Sequence, residues 1–278
     1  AFNEGPSPDE FFEQVEASIE TARQFVLDTA LVTLPTEQGP KPLEMSSFLR
    51  PSWLIALSVP GFLETTAGNA YLQLNLPASG SNSRSIQQHM RSYNSSAIPL
   101  MAIHQGFPGR YLHAVRRKDS PSRIRQILQA PWSGQGWALY AEGMMLDQGY
   151  MGDDPRIQLE RQRRQATAMA RLVVGMNLQT LRMNFQEAVE FLTEEAYLDE
   201  AAAEREARKG VRKPLSVLGG LRLRTIEQLR AKAETQGVAL KDFHDQLLGK
   251  RLPPGIHNLR TWSNPALRPP QTATSSGN

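Results

Sequence analysis

The strongest constraint on the fold is a succession of segments with helical composition and spacing, which fills most of the chain after Ser85. Apolar residues in these segments recur every three to four positions, as on one face of an α-helix. The segments lie near 85–93, 97–105, 110–118, 121–129, 135–149 and 156–181, then at 184–192, 194–208, 214–235 and 240–248. A capping box opens the helix at Asn184, and Gly237 is placed to end another. The sequence therefore predicts a mostly α fold.

The first hundred residues carry a different pattern. Ser7 and Glu10 match a capping box with Pro8 at the first helical position, and they predict a helix over residues 8–29. Between about 30 and 80, Pro and Gly interrupt the chain, and residues 70–76 alternate Leu with polar side chains, as in a half-buried strand. A small β-rich element is expected here.

Composition narrows the classes of protein. The 278 residues suit a single domain over 1–262, and the Pro-, Ser- and Thr-rich residues 263–278 predict a disordered tail. The chain has no Cys, which excludes disulfides and thiol catalysis, and it has no apolar run of about 18 residues, so no membrane span is predicted. Its net charge of +3 comes from solvated helix faces without interleaved aromatic residues, which does not favour nucleic-acid binding.

The first residue is Ala1 rather than Met, which fits a processed chain or a piece of a longer one. Both an exported or periplasmic location and a cytoplasmic one remain open.

Two short stretches carry the most chemical information. Residues 103–113 read Ile-His-Gln-Gly-Phe-Pro-Gly-Arg-Tyr-Leu-His, and residues 135–142 read Gln-Gly-Trp-Ala-Leu-Tyr-Ala-Glu. A zinc peptidase needs two His ligands, a third ligand from another helix and a Glu that takes a proton from the metal-bound water. The simple His-Glu-x-x-His pattern fails, because Pro108 stands where the second His would be.

The two stretches resemble the bacterial peptidase-like family catalogued as domain of unknown function 885. Its members carry His-Glu-x-x-Pro-Gly-His-His-Leu-Gln and, further on, Glu-Gly-Trp-Ala-Leu-Tyr-Ala-Glu. Weaker agreement continues at residues 171–174, 186–188, 229–234 and 241–248, so the resemblance covers roughly residues 8–260. It implies a gluzincin-like helical domain that matches the C-terminal half of proteins about twice this length.

The positions that differ from the family pattern are those that would bind the metal or activate water. Gln105 replaces the general base, Arg110–Tyr111 replaces the His pair, and Gln135 replaces the Glu ligand. A neutral amide does not take a proton from water and is a poor zinc ligand, while an Arg repels a dication. His104, Gln105, Arg110 and Gln135 are therefore predicted to be a vestigial site that holds no zinc and needs no cofactor.

Other residues of the two stretches are candidates for contact with a substrate or ligand: Tyr111, Trp137, Tyr140, Glu142 and His244. For the aromatic residues packing in the core is the competing interpretation, and for His244 packing and substrate contact are weighted equally. We expect Arg110 to pair with Glu142 or another carboxylate, because a buried Arg must be paired.

The sequence favours a catalytically degenerate pseudo-metallopeptidase that serves as a structural or binding subunit. Its expected partner is another protein, either an active relative or a chain that supplies the missing N-terminal half. Two alternatives stay open. The protein is an active zinc peptidase with non-standard ligands, or it is a metal-free enzyme that uses His104 and Arg110.

Overall fold

The computed structural model describes residues 5–35, 38–50, 53–61, 64, 69–118, 131–212, 215 and 218–249. The helices are α1 (Pro8–Asp28), α2 (Ser83–Met90), α3 (Ala97–Met101), α4 (Arg110–Lys118), α5 (Pro131–Asp147), α6 (Pro155–Gln179), α7 (Phe185–Ala196), α8 (Glu200–Arg212), α9 (Gly219–Thr235) and α10 (Leu240–Gly249). The strands are β1 (Lys41–Glu44), β2 (Ile55–Ser58) and β3 (Tyr71–Leu74). The mostly α fold with a small β element is confirmed.

The small sheet has the order β1-β3-β2. The central strand β3 pairs in parallel with β1, Lys41 opposite Tyr71, and antiparallel with β2, Ile55 opposite Leu74. Leu72 and Leu74 are fully buried while their neighbours are half-buried, which is the alternation that the sequence predicted. The sheet packs on the main core through these two side chains.

The main core is built around α5, whose residues Trp137 to Leu146 are almost all buried. Helix α9 packs along α5, and α1 packs against α3 and the turn that follows it. A second, smaller apolar cluster lies between α6, α7 and α8 and includes Val174, Leu192 and Ala203. The candidate site lies in the main core, where α4 and the end of α3 meet α5.

Two local predictions were wrong. Ser7 precedes α1, but its side chain makes no capping hydrogen bond. Pro8 does stand in the first turn of the helix, as the sequence predicted. The predicted boundary between the helices at 184–192 and 194–208 lies further along the chain, because α7 continues to Ala196 and Tyr197 then takes a left-handed conformation (φ 53°) that ends it. The capping box of Asn184 with Glu187 is confirmed in full.

Some expectations fall on other parts of the chain. The predicted helix at 121–129, the start of the predicted helix at 214 and the predicted tail at 263–278 lie outside the described residues.

Candidate functional site

The first of the two sequence stretches forms a widened helical turn and a tight return of the chain. α3 continues into a π-helical turn over Ala102–Gly106, a rare conformation often found at functional sites. Gly109 then lies against the preceding turn, where an added Cβ would come within 2.2 Å of the carbonyl oxygens of Ile103 and His104. The Nε1–H of Trp137 donates to the Pro108 oxygen at 2.6 Å. The turn therefore depends on the Pro-Gly pair and on the Trp.

A buried carboxylate holds the His of this turn. Glu142 on α5 is 1% exposed and accepts from Nδ1 of His104, which is 4% exposed. Arg164 on α6 donates two hydrogen bonds to the same carboxylate, at 3.0 and 2.9 Å. Burial would raise the pKa of Glu142, but Arg164 and His104 outweigh it and hold that pKa below its ordinary value. Glu142 is therefore an anion with both of its oxygens bound.

His104 is neutral in this arrangement. Burial lowers the pKa of its imidazole by more than the Glu142 charge raises it. A neutral ring that donates from Nδ1 to Glu142 carries its lone pair on Nε2. That atom faces Oε1 of Gln135 at 3.4 Å. Glu142 thus orients His104 as a carboxylate orients a metal-binding His, with the free nitrogen towards α5.

Gln105 and Arg110 complete the predicted vestigial set. The Arg110 guanidinium contacts Oε1 of Gln105 at 3.5 Å, which is the outer limit of a hydrogen bond. Burial lowers the pKa of Arg110. The expected pairing of Arg110 with Glu142 was wrong, because Arg164 reaches that carboxylate from α6 and occupies it. The structure thus brings His104, Gln105, Arg110 and Gln135 together as predicted, but not in the predicted ion pair.

Zinc can be tested against this donor set. Two ligands of a tetrahedral zinc, each about 2.05 Å from the metal, lie roughly 3.3 Å apart. The separation of 3.4 Å between His104 Nε2 and Gln135 Oε1 matches that spacing. The remaining groups are an amide and a guanidinium, and no three His, Cys, Asp or Glu side chains are grouped for a metal in the described part of the chain. The spacing suits zinc, but the donors do not.

The five candidate contact residues are all buried. Tyr111 donates to the Gln38 oxygen at 2.9 Å, and Tyr140 shares a hydrogen bond of 2.8 Å with His244 Nε2. His244, 0% exposed, also donates from Nδ1 to the Leu31 oxygen at 2.7 Å, and burial lowers its pKa to about 4. Trp137 and Glu142 are bound as described above. Each has a structural partner in this conformation, so contact with a substrate stays a prediction.

Two residues of the site were not predicted from the sequence, Arg164 and Arg222. Arg164 is one of several arginines in α6, and nothing local separates it from its neighbours. Arg222 is different, because it lies three residues after Gly219 and four before Ile226, both buried. That spacing puts an Arg on the buried face of α9, which is a signal that the sequence did contain.

The mostly helical fold and the His-Gln-x-x-Pro-Gly-Arg stretch of residues 104–110 define the class of protein. The family described as bacterial protein of unknown function (DUF885) matches residues 2–254, and the chain belongs to it. No curated protein sequence matches the chain.

Two solved structures have the same fold. One is a putative lipoprotein of unknown function from Shewanella oneidensis, with 25% identity and a TM-score of 0.76 over 88% of this chain. The other is a putative lipoprotein from Colwellia psychrerythraea, with 20% identity and a TM-score of 0.75 over 89% of this chain. The chain spans 44% and 42% of these two proteins. No helix among the described residues is both long and apolar enough to cross a membrane.

Proposed function

We propose that this protein is a catalytically degenerate member of its family, a pseudo-metallopeptidase that serves as a structural or binding subunit. The observation that carries the proposal is the pair of His104 Nε2 and Gln135 Oε1, which keep a zinc-like separation of 3.4 Å while the second donor is a neutral amide. The oriented His is kept, and the groups that would bind a metal and activate water are replaced.

The charges near His104 support the same proposal. Glu142 already binds Arg164 twice, so its charge is not free to neutralise a dication. The other charged group beside His104 is Arg110, a cation that lowers the pKa of the imidazole. A dication and a guanidinium about 4 Å apart would repel by roughly 8 kcal/mol at an effective dielectric of 20. Both the neutral amide of Gln135 and the positive charge of Arg110 therefore disfavour zinc binding at this site.

The partner is proposed on separate grounds. Some large apolar side chains are exposed, among them Phe48 (77%), Leu181 (92%) and Tyr197 (81%). The chain also spans less than half of its structural relatives. We propose that another polypeptide segment covers part of this surface. Sedimentation of the purified protein, with native pull-down, tests this point, and a monomer that recovers no partner contradicts it.

Zinc binding by a restored site is the main test. The triple variant Gln105→Glu, Arg110→His and Gln135→Glu returns the family's base and two ligand types to the positions seen here. After incubation with zinc and desalting, elemental analysis should find well under one zinc per wild-type chain and close to one per restored chain. Zinc should raise the melting temperature of the restored protein only, because a ligand that binds the folded state stabilises it.

A matched control makes the same chemical changes elsewhere. Gln186 on α7, Arg224 on α9 and Gln236 in the turn after α9 are all exposed, so Gln186→Glu, Arg224→His and Gln236→Glu should bind no zinc. Stoichiometric zinc in the wild-type protein overturns the proposal and favours an active peptidase with other ligands. A hydrolytic activity that His104→Ala and Arg110→Ala abolish, without zinc, favours the metal-free enzyme.

A further inference from the structure

One face of α4 carries three basic residues, and one of them, His113, meets α5. Arg110, His113 and Arg117 are spaced by three and four positions, so they share that face. It meets a short glycine-rich stretch of α5, because an added Cβ at Gly134 would lie 3.4 Å from Nδ1 of His113. The absence of side chains at this stretch lets the basic face approach the α5 backbone.

A fourth basic residue reaches the same place from α9. An added Cβ at Gly136 would lie 2.4 Å from Cβ and Cγ of Arg222, so the stem of this Arg crosses α5 directly over the glycine. Burial, and after it the charges of Arg117, Arg222 and Arg110, lower the pKa of His113 to about 4. We call Arg110, His113, Arg117 and Arg222 the basic cluster.

Two cations of the basic cluster lack a counter-charge within the part of the chain that the structure describes. Arg222 makes no ion pair there, and its Nε is buried without a hydrogen-bond partner. Arg110 makes only the 3.5 Å contact with the neutral Gln105. Burial lowers the pKa of both guanidiniums. The nearby Glu142 is occupied by Arg164 and His104, so it does not neutralise them.

Uncompensated, partly desolvated guanidiniums are costly in a folded protein, and they are commonly retained where a ligand supplies the opposite charge. The planar guanidinium fork matches the two oxygens of a carboxylate or a phosphate.

We propose that the basic cluster is an oxyanion-binding site that takes a single carboxylate or phosphate group between Arg110 and Arg222. The site goes beyond the proposed function, because oxyanion binding does not depend on whether the protein has a partner or retains any zinc affinity.

The test is calorimetric titration at constant ionic strength, with chloride as the balancing anion. Inorganic phosphate, acetate and N-acetyl-dialanine are titrated in parallel, with the C-terminal amide of the same dipeptide as a neutral match. Binding of phosphate identifies a phosphate source, and binding of the dipeptide acid but not its amide identifies a peptide carboxylate. If no anion binds more tightly than the amide, the proposal is overturned.

Two variants locate the site. Arg222→Gln and Arg110→Gln should each weaken the binding of the preferred anion about tenfold or more, since each removes charge-assisted hydrogen bonds. Arg224→Gln is the matched control: it lies two residues away on α9, its side chain is 69% exposed, and it should leave the affinity unchanged. Circular dichroism confirms folding of each variant, so that either single variant suffices. Equal weakening by Arg224→Gln overturns the assignment.

Discussion

The two sides of His104 differ in how buried charge is neutralised. On the α6 side, Glu142 is bound by Arg164 and His104, and the described contacts balance its charge. On the α4 side, Arg110 and Arg222 lie close to a neutral His113 without a counter-charge among the described residues. The first side supports a His and is complete in the protein alone. The second has an arrangement that an added anion would complete, so the two sides differ in whether the described residues supply the counter-charge.

The largest effect is expected on the α6 side of His104, where Glu142 is paired with Arg164. Glu142→Gln keeps the shape of the side chain but leaves Arg164 buried against a neutral group. We expect a loss of about 3 kcal/mol in the free energy of unfolding, measured by urea denaturation at pH 7, because removal of one member of a buried pair strands the other.

The control for Glu142 is the exposed pair of Arg224 and Glu227, whose side chains are 69% and 38% exposed. Glu227→Gln should cost less than about 1 kcal/mol. Equal effects of the two substitutions would show that the buried carboxylate does not hold the site together.

The pH dependence of stability tests the α4 side of His104, where Arg110 and Arg222 lack a counter-charge among the described residues. His113 has a folded-state pKa of about 4, below the value near 6.5 of an unfolded His. The unfolded chain therefore binds more protons between those two values, and stability falls as pH drops from about 6.5 to 4. Allowing for partial solvent screening, His113 should contribute a loss of roughly 2 kcal/mol.

The variant His113→Gln removes this proton-binding group. Its urea midpoint should fall less steeply between pH 6.5 and 4.5 than that of the wild-type protein, although His244, whose pKa is also about 4, keeps part of the slope. Identical pH profiles for wild type and variant would contradict the placement of His113 among buried cations.

The smallest effect is expected for Arg110→Met, and it should differ in sign from the effect of Arg164→Met. Arg110→Met removes a cation that has no described counter-charge, so in chloride buffer it should be neutral or stabilise the protein by up to about 1 kcal/mol. Arg164→Met removes the partner of Glu142 and should destabilise it. Thermal melts of the two variants at pH 7 compare them directly. Equal destabilisation by both would show that Arg110 has a charge partner after all.

The sequence predicted the elements better than the contacts between them. Helical spacing placed α1, α4, α6 and α10 closely, because amphipathic patterns are local. The break between α7 and α8 was placed a few residues too early, before Tyr197, since a non-Gly residue with positive φ has no strong sequence signal. Asn184 formed its capping box and Ser7 did not, although both residues have the extended backbone of an N-cap, so the capping motif alone does not guarantee the capping hydrogen bond.

The site shows the same limit. The motif spacing correctly gathered His104, Gln105, Arg110 and Gln135, because these positions lie on two adjacent elements. The partner of Glu142 was mistaken, because Arg164 lies 22 residues further along and reaches it only through the packing of α6 on α5. Which of several arginines meets a buried carboxylate is decided by helix packing, and a single sequence does not contain that information in local form.

The close crossing of α5 and α9 has a consequence for how a ligand would be received. An added Cβ at Gly219 would lie 2.6 Å from Cγ of Gln135, and Gly136 faces the stem of Arg222 as described above. Two helices in contact at such positions leave little freedom to the side chains between them. The stem of Arg222 is therefore held in place before any ligand arrives, and an anion that binds its guanidinium would lose less affinity to the entropy of ordering that side chain.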